Sequence, residues 1–319
     1  MGKQKKIKDK LPKQVILNAK IDKSWDWIPF GVTLNKKGKQ IPIGWYLNDL
    51  GTINEKVFNT YPSSSLLISG GTGSGKSYLV RNIINHIDKF SDNFQLLGVD
   101  IVQIEYLDIL DKFTCMASDI KSAVSVISSV QAHMMTRFKL MQEHNINNIY
   151  KLNDKQITVP YYIINGKQYQ FDEFVTIKVD MDKEDSDYAR LIKVYPDGKR
   201  IYIMPIDNVY KSLEEKTFDK VIINDTTIKL SDIKKTEGIY KFKDIVLVLD
   251  NFSEIMLSDD YKAIDMVKQA VGSIARLGRA SGIHLIICCQ RPGGSVISTD
   301  LRNNINMRVL LGGFDDGIS

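Results

Sequence analysis

Residues 70 to 77 read Gly70-Gly71-Thr72-Gly73-Ser74-Gly75-Lys76-Ser77. Glycines spaced in this way before a Lys-Ser pair are typical of a phosphate-binding loop, which joins a buried strand to the start of a helix. The flanks fit this context, because an apolar run covers residues 65–70 and an amphipathic helical pattern covers residues 76–87. The glycines let successive backbone N–H groups face phosphate oxygens, and a helix N-terminus favours the same negative charge. The eight residues are therefore predicted to bind the phosphates of ATP.

Two side chains of this loop and one distant carboxylate are predicted to carry the chemistry. Lys76 is expected to reach the β- and γ-phosphates, and the Ser77 hydroxyl is expected to bind Mg²⁺. A further Mg²⁺ ligand is expected at the tip of a neighbouring buried strand, and Asp250 directly follows the apolar residues 245–249. Lys76 and Asp250 are thus predicted to be catalytic, with Ser77 and Asp250 holding the metal.

Hydrolysis also needs a group that positions the attacking water. Asp250 is followed by Asn251, where hydrolysing proteins of this type usually carry Glu, and an amide orients water but cannot accept its proton. Glu254, one helical turn further on, is the nearest substitute and is predicted as the catalytic carboxylate. Asp100 and Glu105, beyond the second apolar run, are alternatives. A helix-start carboxylate favoured by the macrodipole explains Glu254 equally well.

The C-terminal part of the chain adds a polar strand end and a cluster of arginines. Gln290 ends an apolar run and suits a sensor of the γ-phosphate, with a simple strand-end cap as the alternative. Five of the nine arginines fall within residues 276–308, namely Arg276, Arg279, Arg291, Arg302 and Arg308. Because a guanidinium binds phosphate with a rigid fork and stays charged, this segment is a candidate for contacting a neighbouring subunit's nucleotide or a DNA backbone. A plain surface role is equally open for each arginine.

Short apolar runs alternate with helical periods along most of the chain. The runs cover residues 65–70, 95–100, 244–250, 283–290 and 307–312. Each is apolar on both parities, which is typical of strands buried on both faces of a parallel sheet. The helical periods cover residues 76–87, 119–141 and 262–278. This alternation predicts an α/β fold with a mainly parallel central sheet.

A β-rich segment interrupts this alternation. Its hairpin signals lie at residues 196–199 and 224–226, where turn residues separate β-branched runs. An acidic run over residues 180–187 lacks the glycine and glutamate of a calcium loop, so a solvated turn is preferred. The predicted segments are a basic, disordered tail over residues 1–27, the first part of an ATPase core over 28–153, a β-rich insertion over 154–243 and the second part of the core over 244–319.

The formal charge of +5 is confined to one end of the chain. Residues 1–13 contain six lysines and one aspartate, and the remaining basic and acidic side chains balance. A like-charged run of this kind is expected to stay disordered. Any interaction with DNA must therefore come from local patches on a neutral body, since a uniformly basic body is excluded.

The cysteines and the lengths of the apolar runs indicate the cellular compartment in which the protein is expected. The three cysteines match neither a disulfide framework nor a metal-binding spacing, which suits a reducing cytoplasm. No apolar run approaches the ~18–20 residues that span a bilayer, and no apolar segment follows the N-terminal lysines as in a secretory signal. A cytoplasmic protein without a membrane anchor in this chain is predicted.

Several stretches carry a resemblance to a known family. Residues 275–285 read Ala-Arg-Leu-Gly-Arg-Ala-Ser-Gly-Ile-His-Leu, residues 289–292 read Cys-Gln-Arg-Pro, and residues 301–308 read Leu-Arg-Asn-Asn-Ile-Asn-Met-Arg. Residues 41–50 and 137–150 agree with the same pattern. Over roughly residues 28–152 and 244–313, the chain resembles the motor domain of the FtsK/SpoIIIE DNA translocases.

The resemblance implies a RecA-like P-loop ATPase core that forms hexameric rings of identical subunits and pumps double-stranded DNA, using ATP and Mg²⁺. It implies that residues 70–77 are the phosphate loop, Asp250 the metal-binding acid and Gln290 the sensor amide. It also makes Arg276, Arg279 and Arg308 candidates for reaching the nucleotide of a neighbouring subunit.

The chain departs from the family pattern at several points. Asn251 replaces the expected Glu. We also expect no anchor before the motor, no DNA-reading module after Ser319, and an end of the chain before the last strand of the core. Two alternative functions follow. Asn251 motivates an ATP-binding regulatory or structural subunit with little turnover, and other motors of this family drive protein secretion.

Overall fold

The computed structural model describes residues 27–34, 40–46, 65–90, 94–103, 105–180, 191–194, 199–305 and 307–312. Its strands are β1 (Trp27–Leu34), β2 (Gln40–Tyr46), β3 (Ser65–Gly70), β4 (Phe94–Asp100), β5 (Phe113–Ala117), β6 (Thr158–Ile164), β7 (Lys167–Gln170), β8 (Phe174–Asp180), β9 (Leu191–Val194), β10 (Lys199–Pro205), β11 (Val221–Ile223), β12 (Thr226–Ile228), β13 (Ile233–Ile239), β14 (Asp244–Asp250), β15 (Ile283–Cys289) and β16 (Met307–Leu311). Its α-helices are α1 (Lys76–Phe90), α2 (Ile120–Glu143), α3 (Leu152–Lys155), α4 (Ile206–Glu214), α5 (Phe252–Met256), α6 (Tyr261–Leu277) and α7 (Thr299–Asn304). Short 3-10 helices cover Leu107–Lys112, Ile149–Lys151, Leu230–Asp232 and Gly278–Ser281.

A six-stranded sheet forms the centre of the fold. Its strand order is β16-β3-β15-β14-β4-β5, and every neighbouring pair is parallel. The predicted parallel α/β class is confirmed, and the ends of the five predicted strands shift by one residue at most. The edge strand β5 was not predicted, because its side chains alternate between buried and half-buried positions and lack the continuous apolar run.

Helices cover both faces of this sheet. On one face, Ile83 of α1 packs in a cluster with Ile68 of β3. On the other face, Val130 of α2 and Val271 of α6 pack in a cluster with Leu67 of β3. Because successive side chains of a strand point to opposite faces, Leu67 and Ile68 enter different layers, and β3 therefore carries apolar side chains toward both faces.

The β-rich segment forms two antiparallel sheets. One has the order β12-β11-β8-β10-β9 and the other the order β13-β6-β7. Both predicted hairpins are present, since β9 pairs with β10 and β11 pairs with β12. The second turn has two residues, Asn224 and Asp225, with φ of 48° and 59°. Two positive φ angles match the tight hairpin turn whose twist suits the flanking strands, so Thr226 joins β12 instead of the turn.

Side chains of the central sheet tie this segment to the core. The Gln95 amide of β4 donates to the carbonyl oxygen of Phe174 over 2.9 Å and accepts from its backbone N–H over 2.9 Å. The Thr176 hydroxyl donates to the carbonyl oxygen of Thr114 in β5. Phe174 also belongs to the apolar cluster beneath α2. The segment therefore shares its packing with the sheet, and the boundaries at residues 153 and 243 stay a prediction.

A buried arginine on α2 links distant parts of the chain. The Arg137 guanidinium donates to the carbonyl oxygens of Ser281 over 2.8 Å and Lys243 over 2.6 Å, and it lies 3.3 Å from the Asp172 carboxylate. Its planar group also stacks 4.8 Å from the centre of the Phe242 ring. Arg137 therefore holds three segments in one arrangement: the turn between β7 and β8, the residue before β14 and the turn before β15.

Asp172 accepts further contacts inside this network. The Tyr240 hydroxyl donates to its carboxylate over 2.8 Å, and Nε2 of His133 lies 3.6 Å from the same oxygen. Burial lowers the pKa of His133 well below its usual value, and the positive charge of Arg137 lowers it further. His133 is therefore a neutral imidazole in the folded chain.

Some predicted features lie outside the described residues. These are nearly all of the basic tail, the acidic run after Asp180 and the turn over residues 195–198. Of the helices that the structure describes, none is long and apolar enough to cross a bilayer.

Candidate active site

The glycine-rich loop follows β3 and leads into α1 as predicted. Gly73 and Gly75 have φ of 75° and 93°, which are left-handed values that glycine adopts without a steric penalty. The loop is closed by a hydrogen bond from the N–H of Ser74 to the carbonyl oxygen of Gly71, over 3.2 Å. Nζ of Lys76 donates back to the carbonyl oxygens of Gly70 over 2.8 Å and Gly71 over 3.0 Å. The lysine is therefore folded over the loop.

A cavity of about 330 Å³ opens beside this loop, at the carboxyl edge of the parallel sheet. Its volume is at the lower end of the range for small-molecule pockets. It is lined by Thr72, Gly73, Gly75, Lys76, Ser77, Tyr78, Arg81, Glu105, Asp250, Asn251 and Gln290. The other loop residues, Gly70, Gly71 and Ser74, lie outside the lining. Three distant parts of the sequence thus meet in one cavity and bring together four residues with predicted roles, Lys76, Ser77, Asp250 and Gln290.

The strand order explains this convergence. β15 pairs with β3 on one side and with β14 on the other, and all three strands run in the same direction. Their carboxyl ends therefore lie at one edge, with Gln290 after β15, between the loop after β3 and Asp250 at the end of β14.

Asp250 is buried and held by two hydrogen bonds. The Tyr106 hydroxyl donates to one carboxylate oxygen over 2.8 Å, and the N–H of Asn251 donates to the other over 2.8 Å. Burial raises the pKa of Asp250, with smaller contributions from the charges of Asp100 and Glu105, and the two hydrogen bonds oppose the rise. A cation in the cavity would stabilise the ionised form of this carboxylate.

The donor set fits Mg²⁺. Ser77 and Asp250 place a hydroxyl and a carboxylate on the same cavity, and Mg²⁺ favours one or two protein oxygens together with phosphate oxygens and water. Within the described residues, no group of three or more His, Cys, Asp or Glu side chains could hold a metal by itself. The residues present suit a metal bound jointly with a nucleotide.

The segment after β4 brings a second carboxylate to the cavity. Both carboxylate oxygens of Asp100 accept backbone N–H groups, from Val102 over 3.1 Å and from Glu105 over 3.1 Å. Arg81 of α1 donates to the carbonyl oxygen of Glu105 over 2.8 Å and forms an ion pair with Asp108 over 3.3 Å. These contacts fix the backbone on both sides of Glu105, whose side chain lines the cavity.

Asn251 has left-handed backbone, with φ of 49° and ψ of 39°. Asn tolerates this region far better than longer side chains. The angle gives a structural reason for Asn at this position, independent of any role for its amide in the cavity.

Four of the predicted catalytic residues do not line the cavity. Glu254 is exposed on α5, and Arg276 and Arg279 are exposed near the end of α6. Arg308 is exposed on the edge strand β16, where its guanidinium donates to the carbonyl oxygens of Arg302 and, over 3.1 Å, Ile305. The roles of these four residues stay predictions. Sequence reasoning missed Tyr106 and Arg81, which have no motif of their own.

The fold has a parallel sheet, a glycine-rich loop with Lys76 and Ser77 after β3, and a buried aspartate, Asp250, at the end of β14. These features together define the class of P-loop nucleotide-binding proteins. The sequence model described as the FtsK/SpoIIIE family matches residues 41–294, which includes the β-rich segment. The chain belongs to this family.

Curated relatives carry the name DNA translocase FtsK. The protein of Helicobacter pylori is 22% identical over 249 residues, which is 76% of this chain and 20% of that protein. That of Clostridium tetani is 24% identical over 249 residues, 76% of this chain and 23% of that protein. That of Haemophilus influenzae is 22% identical over 249 residues, 76% of this chain and 36% of that protein. The chain therefore spans a fifth to about a third of the length of these relatives.

Solved structures show the same fold. The pCW3 conjugation coupling protein TcpA, in its monomer form with ATPγS, matches with a TM-score of 0.56 and 20% identity, over 96% of this chain and 60% of that chain. EssC (ATPases 2 and 3) from Geobacillus thermodenitrificans matches with a TM-score of 0.57 and 14% identity, over 97% of this chain and 41% of that chain.

Proposed function

We propose that this chain is an ATP-driven motor that moves double-stranded DNA, working as a homo-oligomeric ring. The observation that carries the proposal is the cavity that joins Lys76, Ser77, Asp250 and Gln290 at one edge of the sheet. Membership of the FtsK/SpoIIIE family and the DNA translocases among the relatives support DNA as the substrate that is moved. A cytoplasmic location is part of the same proposal.

Each cavity residue has a role in the proposed hydrolysis. Lys76 releases its two carbonyl contacts and neutralises charge on the β- and γ-phosphates, while the N–H groups of the loop hold the phosphate oxygens. Ser77 and Asp250 hold Mg²⁺, which when bound stabilises the negative charge that develops on the phosphates. Gln290 contacts the γ-phosphate and couples its presence to the residues after β15.

The arginine-rich segment is the proposed source of contacts outside the subunit's own cavity. Arg302 donates to the carbonyl oxygens of Pro292 over 2.7 Å and Ile297 over 3.3 Å, and therefore serves the local fold. Arg276, Arg279 and Arg291 are exposed and are the better candidates for DNA phosphates or a neighbour's nucleotide. Arg308 stays a candidate despite its carbonyl contacts.

A DNA-stimulated ATPase assay tests the proposal. The full chain is expected to hydrolyse ATP faster when duplex DNA is added, and the DNA concentration needed should rise steeply with salt, because phosphate contacts release counterions. Lys76→Ala is the matched control and should abolish turnover. Slow hydrolysis that saturating duplex DNA leaves unchanged would contradict the proposal.

Asn251 supports a second candidate, an ATP-binding regulatory or structural subunit. Its amide lines the cavity but cannot take a proton from water. Under this alternative the wild-type chain binds ATP tightly without turnover, with or without DNA. A protein-moving motor of the same family would instead turn over ATP and respond to a polypeptide, with no response to duplex DNA.

A further inference from the structure

We infer that Glu105 is the residue that activates the attacking water in this cavity. It would take the role that the family pattern gives to a glutamate at position 251, where this chain has Asn251, and that the sequence alone suggested for Glu254. The inference rests on the proposed ATPase function. It starts from a mismatch: the position that follows the metal-binding acid holds an amide, yet a second carboxylate, that of Glu105, lines the same cavity.

The other carboxylates near this edge are committed or absent from the cavity. Asp250 accepts hydrogen bonds on both oxygens and is the predicted metal ligand. Asp100 is buried, and both of its oxygens accept backbone N–H groups of the segment that follows it. Glu254 is exposed on α5 and lies outside the lining.

Glu105 differs from these residues because hydrogen bonds hold its main chain in place while its carboxylate accepts none from the described residues. Its N–H donates to Asp100 and its carbonyl oxygen accepts from Arg81, while the adjacent Tyr106 donates to Asp250. Among the residues that the structure describes, none donates a hydrogen bond to its carboxylate. Three neighbours thus hold the main chain beside the predicted metal site and leave the half-buried side chain available to a water molecule.

In the proposed step, hydrolysis forms one bond to phosphorus and breaks another. The water oxygen forms a bond to the γ-phosphorus, and the bond from that phosphorus to the oxygen bridging the β- and γ-phosphates breaks, with its electron pair leaving on ADP. The proton lost by the water passes to the Glu105 carboxylate. The Asn251 amide, on the same cavity, orients the water without accepting the proton.

Glu105→Gln tests the inference, and Glu143→Gln, at an exposed position on α2, is the matched control. Glu254→Gln tests the competing prediction. Gln keeps the size and the main-chain contacts of Glu105 and removes only the proton acceptor. We expect Glu105→Gln to lower the DNA-stimulated kcat about 100-fold or more, the range for removal of a general base. The Kd for ATPγS, measured by fluorescence or calorimetry in the presence of Mg²⁺, should change by less than about threefold, since the variant keeps the binding groups. Glu143→Gln should change both quantities by less than about twofold, as expected for an exposed surface substitution. If Glu105 is the base, Glu254→Gln should also keep the wild-type rate.

The outcomes separate this inference from the proposed function. A wild-type chain without turnover would overturn the proposed function. Wild-type turnover with Glu105→Gln retaining more than half of the rate would overturn only the inference, as would a collapse of the rate in Glu254→Gln. A Glu105→Gln variant that no longer binds ATPγS would also overturn it, because Glu105 would then serve binding or folding and not the chemical step.

Discussion

Asn251 shows how a backbone angle and a catalytic requirement compete at one residue. It adopts φ of 49° directly after the buried Asp250, and its N–H donates to that carboxylate. A left-handed turn brings the donor to the acid and favours Asn over Glu. With this position unavailable for a base, Glu105, in the segment after β4, is the carboxylate that lines the cavity besides the predicted metal ligand Asp250.

Restoring the usual glutamate at this position should therefore harm the chain. We expect Asn251→Glu to lower the free energy of unfolding by about 1–2 kcal/mol, the cost of a left-handed conformation for an ordinary side chain. The ATPase rate should not rise. Asn251→Gly is the control, because glycine adopts this angle freely and should stay near wild-type stability in denaturant titrations. A faster and equally stable Asn251→Glu variant would contradict this explanation.

Tyr106 contributes to stability through its bond to Asp250. Tyr106→Phe leaves a buried carboxylate oxygen without this donor, so the free energy of unfolding should fall by about 1–3 kcal/mol without nucleotide. Tyr78→Phe, on an exposed cavity residue, is the control and should change it by less than about 0.5 kcal/mol. Equal stability of the two variants in urea titrations would show that the buried bond contributes little.

At the scale of elements, α2 is the helix that connects the β-rich segment with the parallel sheet. Its apolar side packs beneath the sheet, and Arg137 and His133 reach Asp172 in the turn between β7 and β8. Two carbonyl oxygens, the Asp172 carboxylate and the Phe242 ring surround this buried guanidinium, and of its three nitrogens only Nε lacks an acceptor among the described residues. Such contacts offset the cost of burying the charge.

Removal of that arginine should be costly. Arg137→Ala leaves Asp172 with an unpaired buried charge and two carbonyl oxygens without their donor, so we expect a loss of about 3–5 kcal/mol in the free energy of unfolding. Lys139→Ala, at an exposed position on the same helix, should cost less than about 0.5 kcal/mol. Chemical denaturation of the two variants measures the difference, and similar losses would refute the role of the network.

His133 makes the same network sensitive to acid. Its pKa is lowered well below the usual 6.5 in the folded chain, so below about pH 6.5 the unfolded chain binds a proton that the folded chain does not. Stability is therefore fully present above pH 6.5 and falls as the pH drops. Between pH 7 and pH 5, His133→Gln should lose about 1–2 kcal/mol less than the wild type in unfolding titrations. Parallel pH profiles for the two proteins would exclude a neutral buried His133.

In the molecule as a whole, local sequence patterns predicted the strands at the centre of the parallel sheet. They did not predict its edge strand β5 or the strand order of the β-rich segment. The runs at 65–70 and 244–250 are buried on both faces, so continuous apolarity identified them to the residue. The strand β5 and the order of the eight antiparallel strands after α3 depend on pairing between distant residues, which short-range periodicity does not encode.

The residues of the candidate site likewise fall into those that the sequence predicted and those that only the folded structure revealed. Gly73 and Lys76 follow from a motif whose chemistry requires those residue types at that spacing, and Asp250 follows from its place directly after a buried apolar run. Glu105 was only one of several acids open from the sequence, because its place beside Asp250 depends on the parallel pairing of β4 with β14, which sets Asp100 opposite Asp250. Tyr106 and Arg81 have no sequence signal, since their roles arise from contacts that only the folded chain creates.

We propose that ATP turnover in this cavity moves double-stranded DNA. Displacement of a triplex-forming oligonucleotide from a duplex measures that movement directly, because a motor passing along the duplex removes the third strand. The wild-type chain should release the third strand with ATP and Mg²⁺, and it should not release it with ATPγS or when Lys76 is replaced by Ala. Turnover of ATP on the same duplex with no release above the Lys76→Ala level would contradict the claim.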